Sequence, residues 1–182
     1  MEKEIEDLLS EMKAQMKQWE NRINQLEKKL KPTETENFVD LGLSVQWATC
    51  NVGAKYPEDY GYFYTFDEAQ ELSNSNWRVP TREEICELLE NCDYKWTTQN
   101  GVNGGLFTSK INGNSIFLPA AGYRYGSGVY RVGFEGYYWS SSADDYTAYY
   151  LGFDSDGAYM GSGYYRDYYR DYGRSVRLVR GL

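Results

Sequence analysis

Ala148-Tyr149-Tyr150-Leu151-Gly152-Phe153-Asp154-Ser155-Asp156-Gly157-Ala158-Tyr159-Met160 reads as a strand over 148–153, a polar turn and a second short strand over 158–160. Leu151 and Phe153 alternate with Tyr150, Gly152 and Asp154, so one face of the first strand belongs to a core and the other is free to vary. Working outward, residues 137–141 and 175–179 are predicted strands. Trp139, Val176 and Leu178 serve there as apolar anchors on both sides. Between them, Gly163-Tyr164-Tyr165-Arg166-Asp167-Tyr168-Tyr169-Arg170-Asp171-Tyr172 contains no aliphatic residue and is predicted to lie across the surface.

Upstream, residues 38–49 read as a strand, a glycine-containing turn and a second strand, and residues 67–72 as a short helix. The clearest helix begins at Thr81, an N-cap with Glu84 three residues on to complete a capping box. Ile85, Leu88 and Leu89 give its apolar face, and Cys86 and Cys92 are both placed on it. Residues 106–111 and 115–118 flank Asn112-Gly113-Asn114, a hairpin signal. The expected class is α+β, loop-rich, with few regular elements.

Residues 1–32 change the pattern. No glycine or proline occurs before Pro32, and apolar residues alternate at three and four: Ile5, Leu9, Met12, Met16, Trp19, Ile23, Leu26 and Leu30. A two-in-seven stripe of this kind winds into a left-handed supercoil. Arg22 at g and Glu27 at e meet between parallel neighbours, and Trp19 at d suits the wider core of a trimer. The expectation is a parallel homotrimeric coiled coil over 1–32, a linker over 33–37 and a ligand-binding domain over 38–182.

Composition excludes several chemistries. The net charge is −8 and the chain has no histidine, which removes the commonest general base and transition-metal ligand together. Residues 1–32 are charge-balanced, so the acidic excess falls on the globular part and disfavours nucleic acid. Cys50, Cys86 and Cys92 have no metal-like spacing and are expected as reduced thiols. The first residues show no signal-peptide pattern and no run is long enough for a membrane span, so neither a standard export route nor membrane insertion is expected. Asp154-Ser155-Asp156-Gly157 matches only the first part of a calcium loop. No metal, cofactor or catalytic residue is expected.

From Ser140 to Tyr172 there is no Asn, Gln, Lys, Glu, Ile, Val, Pro or Trp, and eleven of the 19 tyrosines fall between Tyr137 and Tyr172. Tyrosine offers broad, stiff, amphipathic contact area, and Ser, Gly and Asp add adaptable polar contacts, which is the composition of a paratope. The expected contact residues are Asp144, Asp145, Tyr146, Tyr150, Gly152, Asp154, Asp156, Tyr159, Gly161, Gly163, Tyr164, Tyr165, Asp167, Tyr168, Tyr169, Asp171 and Tyr172.

Phe38-Val39-Asp40-Leu41-Gly42-Leu43-Ser44-Val45-Gln46-Trp47-Ala48-Thr49-Cys50-Asn51-Val52-Gly53-Ala54 opens a set of motifs. It is followed by Trp77-Arg78-Val79-Pro80-Thr81, Phe117-Leu118-Pro119-Ala120-Ala121-Gly122-Tyr123-Arg124, Tyr138-Trp139-Ser140-Ser141-Ser142 and Gly173-Arg174-Ser175-Val176-Arg177. In this order they resemble the variable proteins of diversity-generating retroelements from gut bacteria and their phages. The resemblance implies a C-type-lectin-like fold of the formylglycine-generating-enzyme subtype. It also implies a variable region over 144–172, since replacing the adenines of an Asn codon yields Tyr, Asp, Ser, Gly or Ala but never Lys, Glu, Gln, Met or Trp. The cysteine-dependent oxidase of that subtype needs a late cysteine pair, and nothing after Cys92 is a cysteine. The implied role is a phage tail-tip adhesin on the virion that binds a host-surface protein or glycan; the alternative is a variable adhesin on a bacterial surface.

Overall fold

The computed structural model describes residues 38–145, 147–164 and 172–182, together with Met12, Lys13, residues 15–19 and Arg22. The chain falls into two compact units, Met1–Thr35 and Glu36–Leu182. In the first, every described residue is helical and exposed, as a run without helix breakers favours. Met12, Met16 and Trp19 are 55%, 62% and 65% exposed. Ile5, Leu9, Ile23, Leu26, Glu27, Leu30 and the connector over 33–37 lie outside the described residues.

The second unit is mixed, mostly β with few helices. Strand β1 (Phe38–Val39) pairs antiparallel with β2 (Val45–Ala48). The turn between them includes Gly42 at φ +71°, as expected for 38–49. Helix α1 (Phe66–Gln70) occupies the place predicted for a short helix and carries a capping box of Thr65 and Glu68. Helix α2 (Arg82–Asn91) starts at the expected Thr81–Glu84 box. Arg78 also bonds the Glu84 carboxylate, tying the cap to the preceding loop. Burial opposes ionisation of Glu84, but the Arg78 and Thr81 bonds hold its carboxyl below the usual range.

Cys92 does not share the helix with Cys86. It is the C-cap of α2, with extended backbone at φ −119° and ψ 147°, and the first residue of β3 (Cys92–Gln99). The β-branched and aromatic run Tyr94, Trp96, Thr97 and Thr98 favours a strand from that point. The Cys92 thiol is free and buried, which pushes its pKa up to about 11.

Strand β3 returns into β4 (Val102–Ser109) through Asn100 and Gly101, at φ 48° and 84°. Two successive positive φ values make the tight turn that suits the twist of a hairpin. Strand β4 then pairs with β5 (Ser115–Pro119) across the expected Asn112–Asn114 connection, although β4 begins earlier than predicted. A small hairpin follows, β6 (Tyr123–Tyr125) and β7 (Gly128–Tyr130).

The last sheet has the order β10-β9-β8, built from β8 (Gly136–Ala143), β9 (Thr147–Phe153) and β10 (Ala158–Tyr164). Strand β10 continues through Tyr164, so the start of the predicted surface segment is regular strand. Residues 175–179 are not the continuous strand expected. Ser175 donates to the Tyr137 carbonyl, while Val176 and Leu178 accept from Val52 and Ala48. This segment threads between several elements with residues 173–179 all buried, and regular pairing begins only at β11 (Val179–Gly181), against β2.

One core lies between the β8–β10 and β3–β5 sheets under α2. Phe153 meets Phe107 at 6.0 Å, Tyr138 at 5.8 Å and Tyr94 at 6.1 Å between ring centres. Leu151, Ile85 and Leu88 complete it. A second core joins Trp139, Val176 and Leu178 to Phe66, Ala69 and Val79. Arg177 staples the two regions together: its guanidinium donates to Asn51 Oδ1 and to the carbonyls of Ala48 and Phe117, each at 3.0 Å.

Candidate functional site: a tyrosine face on the last sheet

Register places the candidate residues in rows. Tyr137, Gly152 and Tyr159 stand directly opposite one another across β8, β9 and β10, and the adjacent row is Trp139, Tyr150 and Gly161. Strand alternation therefore puts Tyr150, Gly152, Tyr159, Gly161 and Gly163 on one face. Leu151 and Phe153 point the other way, each 1% exposed.

Topography differs from a simple outward array. Gly152, Gly161 and Gly163 are buried. The Tyr159 ring lies over Gly152, and the Tyr150 ring lies over Gly161. These three expected contact positions are thus floor, and Tyr150 and Tyr159 are the relief. Tyr159 is 44% exposed.

Beneath the tyrosines sits Arg174, 4% exposed. Its guanidinium carbon is 3.5 Å from the Tyr150 ring centre, 4.3 Å from Trp139 and 5.4 Å from Tyr137. Desolvation pulls its pKa down to about 10, while the neighbouring tyrosines favour its charge. Nε and Nη1 have no hydrogen-bond partner. Stacked rings therefore supply much of what holds this cation.

Around the face, the Tyr137 hydroxyl donates to Glu135 at 2.5 Å. Burial, and then this carboxylate, push the Tyr137 phenol well above its usual pKa. Asp144 and Asp145 stand at the β8–β9 turn, and Asp154 and Asp156 at the β9–β10 turn. Both first members do structural work. Asp144 accepts from the Thr147 amide and hydroxyl and from Tyr149, and Asp154 Oδ1 accepts from the amides of Asp156 and Gly157. That use of Asp154 accounts for the resemblance to a calcium loop, and among the described residues no cluster is arranged to hold a metal.

Tyr172 reaches the face from the far end of the segment, 5.3 Å from Tyr123 and 4.8 Å from Tyr125 between ring centres. Tyr123 also contacts Tyr130 and Tyr137. The β6–β7 hairpin thereby extends the aromatic surface, a contribution missed from sequence because these residues lie outside the biased stretch. Tyr149 is not part of this face: it alternates with Tyr150 and stacks under Arg82 at 4.6 Å. Tyr146, Tyr165, Asp167, Tyr168, Tyr169 and Asp171 lie outside the described residues, as does the side chain of Tyr164.

A separate cleft of about 130 Å³ is lined by Val39, Thr49, Pro57, Gln99, Leu106, Ser115, Ile116 and Phe117. It carries no titratable group and is smaller than the roughly 300 Å³ of an ordinary small-molecule site. Among the described residues, no helix is long and apolar enough to cross a membrane.

Residues 92–179 match a family model described as a domain of unknown function (DUF8237). The matched span takes in all three strands of the tyrosine face and Arg174. No curated protein and no solved structure matches the chain.

Proposed function

We propose that this chain is a binding protein, not an enzyme, whose tyrosine face is diversified by a retroelement and presented in three copies by an N-terminal coiled coil. Its globular unit is a C-type-lectin-like domain of the formylglycine-generating-enzyme subtype, and its place is the tip of a phage tail. The partner is a protein or glycan of the host surface.

The observation that carries this reading is the gathering of the compositionally restricted residues. Tyr150, Gly152, Tyr159 and Gly161 share one face, while Leu151 and Phe153, which alternate with Tyr150 and Gly152 on β9, are core. Stiff aromatic side chains on a hydrogen-bonded sheet make a preorganised contact surface. The exposed Met12, Met16 and Trp19 support a seam that packs against other copies. Three linked sites raise avidity by roughly 10² to 10⁴ when all engage together.

The gene's neighbourhood tests the proposal. A template repeat of the 144–172 coding segment beside a reverse transcriptase gene is the expected finding. Flanking DNA from several isolates with neither feature sinks the retroelement reading.

A further inference from the structure

The glycines of this fold divide by what an added Cβ would strike. At Gly104 it meets the Leu118 carbonyl oxygen at 2.3 Å, and at Gly122 the Tyr130 carbonyl oxygen at 1.9 Å. At Gly136 it meets the Phe153 ring at 2.1 Å, in the middle of the core. Such positions accept a side chain only if backbone or core moves.

Gly161 and Gly152 are of another kind. At Gly161 the obstacles are Cε2, Cζ and Oη of Tyr150 at 2.3, 2.4 and 2.8 Å; at Gly152 they are Cζ, Cε2 and Oη of Tyr159 at 2.5, 2.7 and 2.8 Å. Both glycines sit in paired, extended strand, a conformation that any residue adopts. In each case the three nearest obstacles all belong to the outer end of one tyrosine, and a tyrosine moves by rotating about its side-chain bonds.

We propose that Gly161 and Gly152 are specificity-determining positions that act through the tyrosine on the neighbouring strand, with Arg174 as the positioning residue that holds Tyr150 down. A side chain at 161 lifts the Tyr150 ring and uncovers the Arg174 guanidinium. The face then gains a cation with two N–H groups ready for a carboxylate, within a rim that otherwise carries Glu135, Asp154 and Asp156. A side chain at 152 lifts Tyr159 away from Tyr137 and Glu135 and turns a flat ring into a projecting one. One substitution thus changes two side chains, and at 161 it also changes the class of ligand group the surface accepts. The inference rests on the tyrosine face being the binding surface, but not on how its residues came to vary.

A double-mutant cycle on the full chain tests it, using Gly161→Ser, Tyr150→Ala and the combination. Each is followed by thermal unfolding and by phenylglyoxal modification of Arg174, mapped by mass spectrometry. In the parent, Arg174 is expected to be protected. In Gly161→Ser its modification rate rises by about tenfold or more, since a covered group reacts only through rare opening. Any loss of melting temperature from Gly161→Ser disappears in the Tyr150→Ala background. A Gly161→Ser protein that fails to fold alone but folds with Tyr150→Ala supports the same coupling. An equal loss in both backgrounds, a folded Gly161→Ser protein with Arg174 still protected, or a reactive Arg174 in the parent overturns the inference. None of these outcomes bears on the retroelement, which the flanking DNA decides.

Discussion

Arg174 and Tyr150 are stacked, the guanidinium carbon 3.5 Å from the ring centre, on a platform closed below by Trp139. Three residues on, Arg177 is equally buried but ends on three oxygen acceptors. These neighbours in one short motif predict opposite responses to removal. Arg177→Met strands three buried acceptors, each loss worth about 1–3 kcal/mol, so stability falls by about 3 kcal/mol or more in urea unfolding. Arg174→Met replaces a buried cation lacking two hydrogen bonds with an apolar chain of similar length and shifts stability by only about 1 kcal/mol either way. Equal losses would show that Arg174 is held by bonds other than the aromatic stack.

Alkaline pH weakens the fold through its buried phenols. Burial raises the pKa values of Tyr64, Tyr94, Tyr137, Tyr138 and Tyr159, with Tyr138 reaching about 12. An unfolded tyrosine titrates near 10. Above that pH the unfolded state therefore sheds protons that the folded state keeps, and stability falls. The contribution is fully present below about pH 10 and is lost as pH rises through about 12, with roughly 2–3 kcal/mol from Tyr138 alone. Arg174, pulled down to about 10, works in the opposite sense above that pH but is one group against five. Urea midpoints from pH 8 to 11.5, beside phenolate absorbance, check this; a midpoint that stays constant contradicts it.

The capping boxes give a local test. Thr81 Oγ1 accepts from the Glu84 amide while Glu84 accepts from the Thr81 amide. Thr81→Ala is expected to lower stability by about 1 kcal/mol, seen as a lower urea midpoint with an unchanged slope. A change in slope would mean that α2 anchors more of the fold than its own first turn.

The proposed stalk predicts mass. Light scattering of the full chain is expected at three times 21.1 kDa, and Trp19→Glu with Met16→Glu is expected to give the single-chain mass. Each charge would otherwise enter an apolar seam. A parent protein that is already monomeric rules out the coiled coil.

Much of this was legible in the sequence, and what was not has a common cause. Thr81 with Glu84, and Leu151 with Phe153, are local patterns of fixed period, and they mark the helix start and the core face correctly. Asn100-Gly101 is equally local, but a helix read as far as Cys92 takes the first residue of β3 and hides the β3–β4 hairpin. Cross-strand register is another matter. Nothing in the sequence says that Tyr150 sits opposite Gly161, or Tyr159 opposite Gly152, so floor and relief could not be separated. Arg174 was visible only as part of a motif, because its stacking depends on residues from 35 to 24 positions upstream, Trp139 and Tyr150.

Codon-resolved sequencing of this gene across related isolates decides most directly whether variation keeps to the 144–172 stretch and, within its strands, to the tyrosine face. Replacements are expected within 144–172, in adenine-derived codons, and on the described strands at 150, 152, 159 and 161, with 139, 151, 153, 174, 176 and 178 unchanged. Replacements spread evenly over residues 38–182, or falling as often at 151 and 153 as at 150 and 152, would contradict it.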